Sequence, residues 1–175
     1  MFGFNFDIEY TSIIKEVVRA TGCETYLELG VSTGENIHVI TPYCKKCVGV
    51  DIIDIRIYND FEFHETTTWE FFKKNTAMFD IIFIDADHDF KSVKRDFICA
   101  IQVLNKYGII FLHDTDPVSE EYLKPELCSD SYMMINWINR YHDEYLNIVT
   151  LPVSVAGLTI ITRKKDRRIN EFKTV

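Results

Sequence analysis

The chain has 175 residues, 47% of them apolar and 14% aromatic, which excludes a disordered or collagen-like polymer and suffices for one domain with its own core. Its net charge of −8, from 19 basic and 27 acidic residues, argues against a protein built to grip a phosphate backbone; a small molecule is the expected partner and nucleic acid is not. No apolar run approaches the ~20 residues of a membrane span, Asp7 and Glu9 stand where a signal peptide would be basic, and an odd set of five cysteines fits reduced thiols, so a cytoplasmic protein without membrane contact is expected.

Residues 11–21 place Ile13, Ile14, Val17 and Val18 on one face and stop at Gly22, the pattern of a helix closed by glycine. Tyr26-Leu27-Glu28-Leu29 is then a short apolar strand that runs into the turn Gly30-Val31-Ser32-Thr33-Gly34. The pattern is E-x-G-x-x-x-G and not G-x-G-x-x-G, and an acid at the mouth of such a turn would repel a pyrophosphate. Glu28 suits a ligand carrying positive charge, and S-adenosylmethionine brings both an ammonium and a sulfonium; Gly30, Ser32 and Gly34 would shape the turn around it. Cys47-Val48-Gly49-Val50-Asp51 reads as a second strand, ending about 20 residues past the turn in the acid expected to take ribose hydroxyls. Either acid alone would read as a polar strand end, but the pair in this order and spacing marks a cofactor site. Cys44-Lys45-Lys46-Cys47 has the spacing of half a zinc site or a redox pair. A structural zinc needs two more ligands, however, and Cys23, Cys99 and Cys128 stand singly, so the motif reads as coincidence.

A loop leads to a short strand at residues 61–64, to Thr66-Thr67-Thr68 and to a brief helix over 69–75. Phe79-Asp80-Ile81-Ile82-Phe83-Ile84 has the near-continuous apolarity of a buried central strand and ends in Asp85-Ala86-Asp87-His88. Phe90, Val93, Phe97, Ile101 and Leu104 recur at helical spacing within residues 89–107, and Gly108 opens Ile109-Ile110-Phe111-Leu112, a strand ending in His113-Asp114. Residues 116–130 are the longest irregular segment and the expected lid. A helix over 132–145 carries Met134, Trp137, Ile138, Tyr141 and Tyr145 as a packing face, and two strands, 148–153 and 158–162, close the pattern. The basic run from Arg163 to Arg168 reads as a solvated tail. With no linker and no repeat, residues 1–175 are expected to form a single α/β domain.

Ligands of open parallel sheets bind outside the carboxyl ends of the strands, and Glu28, Asp51, Asp85, Asp87, His88, His113 and Asp114 all fall there. His88 is the candidate base, since an imidazole can take a hydroxyl proton near neutral pH. Asp85 lies beside it as a catalytic and cofactor contact, and with Asp114 would give Mg²⁺ the oxygen-rich shell it prefers.

The segments around Glu28 and Asp51 resemble the first two motifs of the class I S-adenosylmethionine-dependent methyltransferases. Residues 84–88, I-D-x-x-H, and His113-Asp114 resemble the metal-dependent O-methyltransferases of macrolide sugars and their small bacterial and phage relatives. The resemblance implies a Rossmann-like three-layer α/β sandwich whose seven-stranded, mostly parallel sheet ends in an antiparallel hairpin. It implies methyl transfer to a hydroxyl of a small polar acceptor such as a sugar, a metal at Asp85 and the 113–114 pair, His88 as base, and an adenine contact at Thr67 and Thr68. The sugar enzymes have Glu-Asp where this chain has His113-Asp114, which admits Mn²⁺ or a metal-free site and leaves His113 either a ligand or a support for Asp114. Thr67 and Thr68 can equally cap a helix, Asp87 is read as a cap for the helix near Asp89, and Trp69 belongs to the adenine pocket or to the core. The short chain implies a small acceptor pocket, or one completed by a second copy in a homo-oligomer. Rival readings are a methyltransferase with a nitrogen or carbon acceptor and no metal, and a nucleoside-binding module without turnover.

Overall fold

Residues 9–164 are described by the computed structural model. Helix α1 (Tyr10–Thr21) buries Ile14 and Val18 and stops where Gly22, at φ 62°, returns its N–H to Val18 O, a left-handed closure that a side chain would oppose. The chain continues through β1 (Thr25–Leu29), α2 (Glu35–Ile40), a 3-10 turn (Thr41–Tyr43), β2 (Lys46–Asp51), β3 (Glu62–Glu65), α3 (Thr68–Lys74) and β4 (Phe79–Ile84). It then forms α4 (Phe90–Val103), β5 (Leu104–His113), a 3-10 turn (Glu120–Leu123), α5 (Met133–His142), β6 (Leu146–Leu151) and β7 (Leu158–Arg163).

The strands make one seven-stranded sheet in the order β3-β2-β1-β4-β5-β7-β6. The first five strands pair in parallel, and β7 runs antiparallel to both β5 and β6. This is the expected mostly parallel sheet with its closing hairpin. Alternation along the pleat divides the core between the two faces. Leu27, Leu29, Val48, Val50, Ile82 and Ile84 pack with Phe97 and Ile101 of α4. Tyr26, Cys47, Ile81, Phe83 and Phe111 pack with Ile14 and Val18 of α1 and Ile37 and Ile40 of α2.

The structure corrects several boundaries. The short helix α2 was not separated from the glycine turn in the sequence. The helix expected to reach residue 107 ends at Val103, where Leu104 turns extended (φ −80°, ψ 128°) and pairs with Phe79. Carbonyls on both sides of this junction find a donor from far along the chain: Arg163 reaches Ile101 O of α4 at 2.6 Å, and Leu104 O at 3.1 Å and Asn105 O at 2.8 Å at the start of β5. The helix expected to reach residue 145 ends at His142, and β6 opens at Leu146 instead of residue 148. Cys23 does not stand singly, because its Sγ lies 3.3 Å from that of Cys44. No helix among the described residues is long and apolar enough to cross a membrane. Asp7 and all of the basic run beyond Lys164 lie outside the described residues.

Candidate active site

Parallel pairing sets Leu29 of β1 beside Val50 of β2 and beside Ile84 of β4, so the turn after β1 meets the residues that follow both neighbours. Asp51 Oδ2 accepts hydrogen bonds from the Val31 amide at 2.8 Å and the Ser32 amide at 2.9 Å, which holds the turn with Ser32 in the left-handed region at φ 50°. Gly30, at φ 85°, passes so close to β4 that an added Cβ would lie 2.1 Å from the Asp85 carbonyl oxygen. Gly34, at φ 84°, opens α2. A cavity of about 420 Å³ opens over this turn, and Gly30, Asp51, Thr67, Thr68, Asp87 and His88 are among its lining residues. Its volume falls in the range of small-molecule sites.

Glu28 lies beneath the turn and not at its mouth, as the sequence had suggested. With its side chain on the Tyr26 face of the pleat, the carboxylate points under α2, is 1% exposed, and accepts from the Tyr26 hydroxyl at 2.7 Å and from Asn36 Nδ2. Burial pushes its pKa up to about 8 against the opposing pull of those two bonds.

A second cluster forms where β4 and β5 end side by side, with Ile84 paired to Leu112. His113 Nδ1 lies 3.0 Å from Asp85 Oδ1 and 3.3 Å from Asp114 Oδ1. Burial alone would push His113 down, but the Asp85 charge and the bonds to Asp114 and Asp85 carry it up to about 10. Its Nε2 is buried without a partner, and the Tyr10 ring packs 4.4 Å from the imidazole. Asp114 occupies the left-handed region at φ 58°. Although burial works against its charge, His113, His88 and the Cys128 thiol hold it below the usual carboxylate range. His88 Nε2 lies 3.1 Å from Asp114 Oδ2 and 3.8 Å from Asp85 Oδ1, and Nδ1 meets the Leu127 carbonyl oxygen.

Asp85, His113 and Asp114 each offer a ligand atom within 4.8 Å of the others, the one such metal-capable group among the described residues. Two carboxylate oxygens and an imidazole nitrogen fit a divalent cation such as Mn²⁺. His113 must shed its proton to become a ligand.

The sequence of residues 27–115, half of the chain, matches a family described as "Methyltransferase domain". The chain belongs to this methyltransferase family. Its fold is that of the class I enzymes, as three solved structures illustrate. The O-methyltransferase from Bacillus cereus in complex with SAH is 16% identical, at a TM-score of 0.69 over 92% of this chain and 84% of that one. The O-methyltransferase TomG from Streptomyces achromogenes, in complex with SAM, is 12% identical, at 0.62 over 87% and 78%. The N-methyltransferase NodS from Bradyrhizobium japonicum is 14% identical, at 0.64 over 90% and 96%. A search of curated protein sequences gives no match.

The methyltransferase fold also brings together residues that the sequence reading assigned to capping or missed. Thr67 is the N-cap of α3, accepting from the Glu70 amide at 3.2 Å, and still lines the cavity. Thr68 lines it too, while donating to the buried Asp96 at 2.8 Å. The cap of α4 is Asp89, which accepts from the Lys91 and Ser92 amides. Asp87, read from the sequence as that cap, accepts from the Asp89 amide at 3.1 Å and faces the cavity with Arg95. Trp69 is 44% exposed and lines a neighbouring hollow with Lys91 and Lys94, outside both the core and the cavity over the turn.

Residues 127–131, at and just past the end of the segment expected to be a lid, lie against the second cluster and the start of α4. The Cys128 thiol donates to Asp114 Oδ1 at 3.2 Å, the Ser131 hydroxyl donates to the Asp114 carbonyl at 2.6 Å, and Asp130 accepts from the Phe90 amide at 2.6 Å. No spacing in the sequence announces Cys128, Tyr10 or Asn36, because each meets its partner across the fold.

Proposed function

We propose that this methyltransferase moves the methyl group of S-adenosylmethionine to a hydroxyl of a small polar acceptor, a sugar or a similar polyol. The observation that carries the reading is His88 Nε2 set 3.1 Å from Asp114 Oδ2, at the rim of the cavity formed by the turn and Asp51. SAM in TomG and SAH in the Bacillus cereus enzyme support the cofactor assignment. Asp51 would take the ribose hydroxyls, Thr67 and Thr68 the adenine, and Gly30, Ser32 and Gly34 the close backbone approach. Asp85 would face the methyl donor, and Glu28 would set the turn from below through Asn36 and α2. The fit is to a small molecule handled in the cytoplasm by one chain or a homo-oligomer.

The sulfonium of the bound cofactor supplies an activated methyl group, so the protein has to align the acceptor and remove its proton. With Nδ1–H donating to Leu127 O, Nε2 is the nitrogen that would take the hydroxyl proton, and because it faces Asp114 Oδ2 at 3.1 Å the acceptor hydroxyl has to enter between the two. The imidazolium so formed is stabilised by Asp114, and by Asp85 slightly farther off. Asp85, His113 and Asp114 are the residues that would hold Mg²⁺ or Mn²⁺, and such an ion lowers the pKa of a hydroxyl next to it.

The test is methyl transfer across a panel of sugars, catechols and amines, with and without chelator, for the wild type and His88→Ala. The reading predicts hydroxyl acceptors and a loss of turnover of ~10²-fold or more in His88→Ala. Methylation of amines that survives both the chelator and His88→Ala would replace it with an N-methyltransferase. Cofactor binding without transfer to any acceptor would replace it with a binding module.

A further inference from the structure

The C-x-x-C motif plays no part in the methyl-transfer site, yet the fold gives Cys44 a partner that the motif does not contain. Cys23 lies between α1 and β1, and Cys44 between the 3-10 turn at Thr41–Tyr43 and β2. Their sulfurs are 3.3 Å apart, and neither residue is in a disulfide. The two segments are fastened together around the pair. The Lys45 and Lys46 amides both donate to Glu24 O, at 2.9 and 3.0 Å, and Lys45 Nζ reaches Glu24 Oε1 at 2.5 Å. Cys23 and Cys47 are buried in one core cluster, and Cys44 packs against it while keeping part of its surface in solvent.

We propose that Cys23 and Cys44 are a modification site that closes a reversible disulfide by exchange with a low-molecular-weight disulfide such as oxidised glutathione. Closing the gap to a bond of ~2.05 Å needs a shift of little more than ~1 Å, within reach of side-chain rotation. Cys44 is the entry point because solvent reaches it. Its thiolate attacks the external disulfide and expels one glutathione thiolate; the Cys23 thiolate then attacks Cys44 Sγ and expels the second. Two protein thiols become one disulfide while one oxidised glutathione becomes two reduced molecules. The Cys23 contact favours the Cys44 thiolate, but Cys47 and burial outweigh it and push Cys44 up to about 12, so exchange is slow at neutral pH and quickens as pH rises. The bridge would tie the amino ends of β1 and β2, the two strands whose carboxyl ends carry the cofactor turn and Asp51.

The full chain is incubated at pH 8 with oxidised glutathione and then with dithiothreitol, with intact mass and peptide mapping after each step. The expected result is a mass loss of about 2 Da with a peptide joining Cys23 to Cys44, reversed by dithiothreitol. The link persists in Cys47→Ser, whereas Cys23→Ser yields a glutathione adduct at Cys44. Because Cys23 is buried, Cys44→Ser is the second variant, and it loses the link without forming an adduct at Cys23. A Cys44–Cys47 link, stable glutathione adducts in the wild type, or no change in mass overturns the proposal.

Discussion

Glu28→Gln is expected to stabilise the cofactor-free protein in alkaline solution. The unfolded chain sheds this proton near the ordinary 4.5, whereas the folded protein keeps it to about 8. Below pH 4.5 the group is protonated in both states and contributes no difference. Between 4.5 and 8 the unfolded state ionises and the folded state does not, so stability falls as pH rises, and above 8 the loss is complete. At 1.36 kcal/mol per pH unit, the gap from 4.5 to about 8 amounts to about 5 kcal/mol, an order-of-magnitude figure for a group 1% exposed. Glutamine retains the shape and the acceptor oxygen for Tyr26. The same oxygen, in the place of Oε2, also keeps the bond from Asn36 Nδ2. Denaturant unfolding of both proteins from pH 4.5 to 8.5 measures the difference directly. The variant should match the wild type at the acid end and exceed it by about 3–5 kcal/mol at the alkaline end. Parallel curves, or a wild type that gains on the variant as pH rises, would refute a buried, neutral Glu28.

His113, raised from its ordinary 6.5 to about 10 by Asp85 and Asp114 against the effect of burial, contributes stability that is full below 6.5 and lost as pH rises through 10. His113→Asn should remove that part of the pH dependence from thermal unfolding. The same proton must leave before Mn²⁺ binds, so metal affinity, followed by electron paramagnetic resonance, should climb ~10-fold per pH unit between 7 and 9. Gly30→Ala puts a Cβ 2.1 Å from the Asp85 carbonyl oxygen at a φ of 85° and should cost about 3 kcal/mol or more in denaturant unfolding, with cofactor binding lost.

The acid and glycine spacings of β1 and β2 were legible because the turn, its anchor Asp51 and the parallel register are local consequences of two short apolar runs. The convergence of Asp85, His88, His113 and Asp114 was legible for the same reason, since neighbouring strands must deliver their carboxyl ends together. The orientation of Glu28 was not. It depends on α2, six residues long and too short to show a period of its own, which supplies Asn36. The end of α4 was misplaced because its Ile101 carbonyl is satisfied by Arg163, 62 positions away in the chain. The Cys23–Cys44 contact joins residues 21 apart through the pairing of two turns, and no motif spacing encodes it.

The most direct test of the central claim is calorimetric titration with S-adenosylhomocysteine, with NAD as control, of the wild type, Asp51→Ala and His88→Ala. The account predicts micromolar binding by the wild type and by His88→Ala, and a loss of roughly 10- to 100-fold in Asp51→Ala from the missing ribose hydrogen bonds. Binding of NAD alone, of neither ligand, or an equal loss in both variants would contradict it.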